Sequence, residues 1–256
     1  MRRLLVTIRY DGTAYHGWQV QSNAVTVQSA VQDALEQTVG MRPNVTGCSR
    51  TDTGVHADMF CFHTDIGGSI SCDRLVSALN AHLPDDIAAY DCREVPGDFH
   101  ARYSCTGKRY CYRFYDGRSR NPFWMKYASR VPVRLDESAM NEAAAHFMGR
   151  HDFAGFCSVG SSVSDTVRTV SESCVRRDGA VVPFRVAGAG FLYNMVRIMA
   201  GTLLDVGMGR TAADSLPQIV ASCDRKMAGA TAKPHGLILD KVFYGGDRFG
   251  VRKEEI

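Results

Sequence analysis

MFCFHTDIGGSISCDRLVSALNAHLPDDIAAYDC (residues 59–92) holds a strand, a helix and a second strand in close succession, and that succession decides the fold. Met59–Thr64 is a short apolar run of strand length. Cys72–Leu83 follows a helical pattern, and Pro84 breaks it because proline lacks the amide a helix needs. Ile87–Cys92 reads as the next strand. Upstream lies the polar loop Gly47–His56. Before it, Thr26 is placed to cap a helix whose apolar positions Val27, Ala30, Val31, Ala34, Leu35 and Val39 recur at the 3.6 period until Gly40 stops it. LLVTIRY (4–10) reads as an edge-to-core strand, ended by the turn signal Asp11-Gly12. The order strand–helix–strand–strand–helix–strand points to a split βαβ arrangement rather than a continuous parallel sheet.

Downstream, residues 96–107 read as a crossing between halves. Lys108–Tyr115 forms a strand with Tyr110, Tyr112 and Phe114 on one face and Arg109, Cys111, Arg113 and Tyr115 on the other. Asp136 starts a helix reaching about Met148. Thr166–Arg177 and Val181–Gly188 are strands joined across Asp178-Gly179, a hairpin signal. A largely apolar helix over Tyr193–Val206, a short helix near Ala213–Ala221 and a closing strand over Leu237–Phe243 complete the chain. Each half thus repeats one coarse order of elements. The expected fold is α+β: two ferredoxin-like, split βαβ halves with mixed, mostly antiparallel sheets and an active-site cleft between them. The expected domains are 1–103 and 104–256.

With 256 residues, 45% hydrophobic and 22% charged, the chain has ordinary globular composition. A chain of this length buries roughly 70–75% of its unfolded surface and needs no disulfide or metal staple. No run approaches the ~18 apolar residues of a membrane helix, and MRRLLVTIRYDG reads as a strand rather than a signal peptide, so the cytoplasm is expected. The nine cysteines are odd in number and lack a CxxC pair, and no HExxH occurs among the eight histidines. These spacings speak against a secreted disulfide framework and a zinc site, and no metal is expected. Net charge is only +3, but nine of the 30 Lys/Arg and one of the 27 Asp/Glu fall between His100 and Arg134. Eight aromatic residues are interleaved there. Cations that hold phosphates, mixed with rings that stack on bases, are what a nucleic-acid surface needs.

Three places hold candidate chemistry. In GCSRTDTGVH (47–56), a glycine-bounded loop presents Asp52, with Arg50 two residues away and His56 four away. A nearby Arg50 would keep Asp52 ionised, as a nucleophile or general base requires; an Asx-turn to the backbone is the alternative. Arg197 interrupts a buried-looking helix and needs either a partner, such as a carboxylate or a substrate phosphate, or a route to solvent. Asn194 beside it is expected to be satisfied by backbone. Tyr110, in the basic and aromatic strand, is either a stacking platform or an ordinary core residue. GMGRTA (207–212) follows a helix rather than a strand, so it is no dinucleotide site. Walker A and GxSxG motifs are absent.

GCSRTDTGVHA (47–57) resembles the RTDxGVHA signature of the TruA-type tRNA pseudouridine synthases. IRYDGTAYHGWQVQ (8–21), ALNAHLPDDI (78–87), FHARYSCTGKRYCYR (99–113), GRHDFAGF (149–156), GAGFLYNMVRIMAGTLLDVG (188–207) and TAKPHGLIL (231–239) are similar to the family's other motifs, in order along the chain. The resemblance implies isomerisation of uridine at positions 38, 39 and 40 of the tRNA anticodon stem-loop. It further implies no metal or organic cofactor, and a homodimer with RNA lying across both subunits. By the same resemblance Asp52 is the catalytic aspartate, and Arg50 pairs with it and helps hold the flipped nucleotide. Tyr110 stacks on the target base, Arg197 pairs with Asp52, and Leu237 walls the base pocket. Cys48 and Thr53 stand where the family more often has alanine or glycine, and alanine. Arg109, Arg113, Arg118 and Arg120 are expected to bind RNA phosphates. The competing readings are a same-fold pseudouridine synthase acting on another RNA site and a non-catalytic RNA-binding protein.

Overall fold

The computed structural model describes residues 1–160 and 163–245. The chain divides into two compact units, Met1–Gly107 together with the chain from Leu239 onward, and Lys108–Ile238. Both combine α and β structure, and their sheets are mostly antiparallel. Among the described residues no helix is long and apolar enough to cross a membrane.

The first unit carries β1 (Arg2–Tyr10), α1 (Val27–Val39), β2 (Val45–Gly47), β3 (His56–Ile66), α2 (Cys72–His82) and β4 (Ile87–Val95). Its strand order is β4-β1-β3-β10, where β10 is Leu237–Tyr244, and β2 pairs with β3. β1 is therefore an interior strand, paired on both sides, rather than the edge-to-core strand its sequence implied. Leu4, Val6 and Ile8 are fully buried, and Val6 and Ile8 face Phe62 and Phe60 across the ladder. α1 begins as expected: the Thr26 hydroxyl accepts from the Ser29 amide at 3.2 Å, and Gly40 ends the helix at φ 73.

The second unit carries β5 (Cys105–Tyr115, entered at Lys108), β6 (Ser129–Arg130), α3 (Glu137–Ala145), β7 (Gly149–Asp152), β8 (Val167–Val175), β9 (Val181–Gly188), α4 (Met195–Gly207) and α5 (Leu216–Ser222). Its strand order is β5-β9-β8-β7, and β6 makes a short parallel pair with β5. The β8–β9 hairpin turns at Gly179-Ala180, with Asp178 and Val181 exchanging both backbone hydrogen bonds at 2.8 and 2.9 Å. Phe147, Phe153, Phe156 and Phe184 form an aromatic core, with the Phe147 and Phe156 rings edge-to-face at 5.3 Å.

Several expectations change. The units divide at Gly107, and the chain from Leu239 onward groups with the first unit, where the expected second domain ran from 104 to 256. β2, β6 and β7 are too short to show a period. α4 starts at Met195 rather than Tyr193 because Asn194 takes a left-handed backbone at φ 60. The short helix divides into a 3-10 turn over Ala213–Ser215 and α5. On β5, Cys111 and Tyr115 are buried although they share a face with Arg109 and Arg113.

Candidate active site

Asp52 stands on a loop fixed from outside. Segment 10–18 runs along residues 51–56. The Trp18 amide donates to the Thr51 carbonyl at 3.2 Å, the Gly54 amide to the Tyr15 carbonyl at 3.2 Å, and the Gly12 amide to His56 Nδ1 at 3.0 Å. Tyr10 and Thr51 share a buried hydroxyl–hydroxyl bond at 2.9 Å. The approach is so close that a Cβ at Gly12 or Gly17 would collide with the Val55 or Thr51 carbonyl oxygen. Gly17 also sits at φ +81, where only glycine is comfortable. The same segment meets α1: the Val27 and Gln28 amides, which have no partner within the helix, donate to the carbonyls of Gly17 and Trp18 at 3.1 and 3.0 Å. One bracket thus joins a helix end to the loop.

Within the loop, the Val55 amide donates to the Asp52 carbonyl at 3.1 Å, and Gly54 takes φ 76 in the third turn position. This bond uses the backbone carbonyl of Asp52. Asp52 is half-buried and Arg50 exposed. His56 is buried at 3% exposure, with Nδ1 3.1 Å from an Asp11 carboxylate oxygen.

Tyr110, Arg197 and Leu237 belong to the second unit. Tyr110 is 7% exposed, and its ring meets Phe191 edge-to-face at 5.2 Å, which sets the plane of the phenol. Arg197 lies in the first turn of α4, half-buried. Its Nε donates to the Ala232 carbonyl and one terminal nitrogen to the Asn194 side-chain oxygen, both at 2.8 Å. The Asn194 amide nitrogen donates onward to Ser158 Oγ at 2.9 Å. Asn194 is therefore held by side chains, where backbone partners were expected. Its left-handed backbone turns the amide toward Arg197, a conformation Asn tolerates better than most residues.

Leu237 is buried and follows the 3-10 turn Pro234–Gly236. That turn rests on Tyr112, whose hydroxyl donates to the Lys233 carbonyl at 2.9 Å. Burial pushes the Tyr112 phenol up to about 12, against the hydrogen bond to Ser129 and the charge of Arg197. The phenol stays protonated and keeps donating.

The four expected phosphate-binding arginines fall into two classes. Arg118 and Arg120 are exposed. Arg109 is half-buried and lies 3.9 Å from Glu172, while Arg113 lies over the Trp124 ring at 5.9 Å. Among the described residues no group of three His, Cys, Asp or Glu is arranged to hold a metal ion. Sequence reasoning missed the bracket residues Tyr10, Gly12, Gly17 and Trp18. Their signal was the motif over 8–21, which fixes the loop without itself carrying chemistry.

Residues 6–104 and 143–245 match a family model described as tRNA pseudouridine synthase. The tRNA pseudouridine synthase A of Acetivibrio thermocellus is 46% identical over 95% of this chain and 100% of its own. Those of Ruminiclostridium cellulolyticum and Exiguobacterium sibiricum are 45% and 43% identical, over 95% and 98% of this chain and all of theirs. The family match over these two stretches, with 43–46% identity along nearly the whole chain, places this chain in the tRNA pseudouridine synthase family.

Proposed function

We propose that the chain converts uridine to pseudouridine at positions 38, 39 and 40 of the tRNA anticodon stem-loop, with Asp52 as nucleophile or base after the target base is flipped out. As a tRNA pseudouridine synthase it is an RNA-modifying isomerase. The N1–C1′ bond breaks, the ring turns, and C5 bonds to C1′. The C5 hydrogen leaves to solvent and N1 gains a proton, so no redox partner or group donor is needed. The target uridine is unreachable while stacked, so flipping costs a few kcal/mol, which basic contacts to the phosphates offset.

The observation that supports this reading is the Asp52 loop, whose backbone is clamped by segment 10–18. Asp52 attacks C6 of the ring or C1′ of the sugar, or removes the C2′ proton; each route requires the ionised carboxylate. Arg50 and Arg197 take the roles of its positive partners, Tyr110 that of the stacking ring, and Leu237 that of the apolar wall. Arg109, Arg113, Arg118 and Arg120 serve the RNA backbone. The first domain supplies the aspartate loop and the second Tyr110 and the half-buried Arg197. The β4-β1-β3 order with β2 on β3 supports the ferredoxin-like reading of the first half. The proposal includes a homodimer acting in the cytoplasm without cofactor.

Release of tritium from C5-labelled uridine in unmodified tRNA tests it. Wild-type protein is expected to release tritium, and Asp52→Asn to bind the RNA and release none. Binding without release by the wild type would sink the catalytic reading in favour of an RNA-binding protein. Release from tRNA lacking uridine at 38, 39 and 40 would move the target elsewhere.

A further inference from the structure

Residues 116–130 leave the sheet at the end of β5 and return at β6, where Phe114 pairs with Ser129 and Tyr115 with Arg130. The ends of this excursion lie side by side, as in the compact surface loops that often carry function. Its interior is fastened. The Tyr115 hydroxyl donates to the Ser119 carbonyl at 3.0 Å, and Trp124 and Met125 pack against buried Tyr115, Ala128 and Val181. Asn121 accepts the Phe123 amide on its side chain at 3.1 Å and the Trp124 amide on its carbonyl at 3.0 Å. The Ala128 amide then donates to the Trp124 carbonyl at 2.8 Å. A turn fastened in this way gives each side chain one direction. Trp124 goes inward, while Phe123 beside it goes outward and is 86% exposed.

The exposed charged residues of the loop itself have one sign. Arg118, Arg120, Lys126 and Arg130 are exposed. The loop's single acid, Asp116, is buried and engaged by Arg177 at 2.9 Å. The exposed face of the loop is therefore cationic, and the same face of a second copy would set like charges against it. An anionic surface is its complement. An outward ring on a fixed turn among cations has the chemistry to stack on a base while the neighbouring phosphates are held.

We propose that the Phe123 turn is an RNA-contact element, with Phe123 stacking on an unpaired base of tRNA and Arg118 and Arg120 holding adjoining phosphates. This rests on the reading of the chain as an enzyme acting on tRNA and adds a contact that serves binding, not chemistry. Phe123→Ala removes an exposed side chain and leaves the packed Trp124 and Met125 in place.

With full-length tRNA, Phe123→Ala is expected to raise KM about ten-fold and leave kcat within about two-fold of wild type, while Phe123→Trp restores KM. p-Benzoylphenylalanine placed at 123 is expected to cross-link to tRNA on irradiation. An unchanged KM, or a fall in kcat at constant KM, would overturn the proposal. A cross-link joining two protein chains would overturn it in favour of contact between copies. Wild-type protein is the control: if it neither binds nor turns over tRNA, the underlying activity falls and this inference with it. Wild-type turnover with an indifferent Phe123→Ala overturns the loop assignment alone.

Discussion

Gly17 presses against the carbonyl oxygen of Thr51, leaving no room between them for a methyl group. Gly17→Ala must therefore push the Asp52 loop aside and hold alanine at a positive φ. We expect a stability loss of about 2 kcal/mol in urea titration. Turnover should fall further, by about a hundred-fold, because a displacement near 1 Å at a reacting group has that effect. A variant that lost stability and kept full kcat would show that the bracket does not position Asp52.

Asn194 separates backbone from side-chain effects. Asn194→Gly keeps the left-handed backbone and removes the oxygen that accepts from Arg197. Its stability is expected to stay within about 1 kcal/mol of wild type while kcat drops about ten-fold. Asn194→Ala adds a backbone penalty of about 1 kcal/mol and should unfold at lower denaturant. Equal kcat in wild type and the glycine variant would remove Asn194 from the positioning of Arg197.

Acid should loosen the first unit through His63. Burial, with Arg3 and His100 nearby, lowers this imidazole to about 4, against the opposing pull of Asp65. Its Nδ1 accepts the Ala101 amide at 3.1 Å, a bond the protonated ring loses. The folded pKa lies below the unfolded value, so the unfolded chain binds more protons between the two. The contribution is complete above pH about 6.5 and is lost as pH falls toward 4. Urea midpoints measured from pH 7 to 4.5 should decline less steeply in His63→Gln.

Arg177 neutralises a carboxylate that has no contact with water. Asp116 accepts two of its hydrogen bonds at 2.9 and 3.0 Å and the Leu135 amide at 3.0 Å. Arg177→Ala is expected to cost about 3 kcal/mol, because the buried charge loses both guanidinium hydrogen bonds and is left with the exposed Arg134 at 3.6 Å as its cation. Adding Asp116→Leu to Arg177→Met should recover most of the stability. Equal losses in the single and double variants would contradict that account.

Salt titration of tRNA binding should distinguish the arginines. Each exposed phosphate contact contributes a slope near 0.7 in log–log form for single-stranded RNA. Replacing Arg118 and Arg120 together by Gln should flatten the plot by more than one unit. Arg109→Gln should change it less, since Glu172 already lies near that guanidinium. A larger effect from Arg109 would reverse the assignment.

Local features were legible in the sequence where local chemistry determines them. Thr26 and Gly40 bound α1, and Gly179 lies in the hairpin turn, because caps and tight turns need particular residues within a few positions, though the turn residues are Gly179-Ala180 and not the expected Asp178-Gly179. The polar, glycine-bounded segment that carries Asp52 was legible as a loop between strands. The posture of Asn194 was not legible: it depends on Ser158, 36 residues away, and on an arginine one turn on. Nor could composition show which basic residues of the 100–134 stretch face outward, since Arg113 lies over a tryptophan and Arg118 is exposed. The partner of β10 also lay beyond any local signal, because the strand β3 it joins was completed at Ile66.

That pairing gives the molecule a history on the ribosome. β1 to β4 emerge first, yet the strand that lies beside β3 in the finished unit is translated only after Lys108–Ile238. The nascent first unit therefore waits with part of the β3 edge uncovered, a site where another unfinished chain can pair. The order of synthesis, rather than the depth of the core, sets when this enzyme is most prone to aggregate.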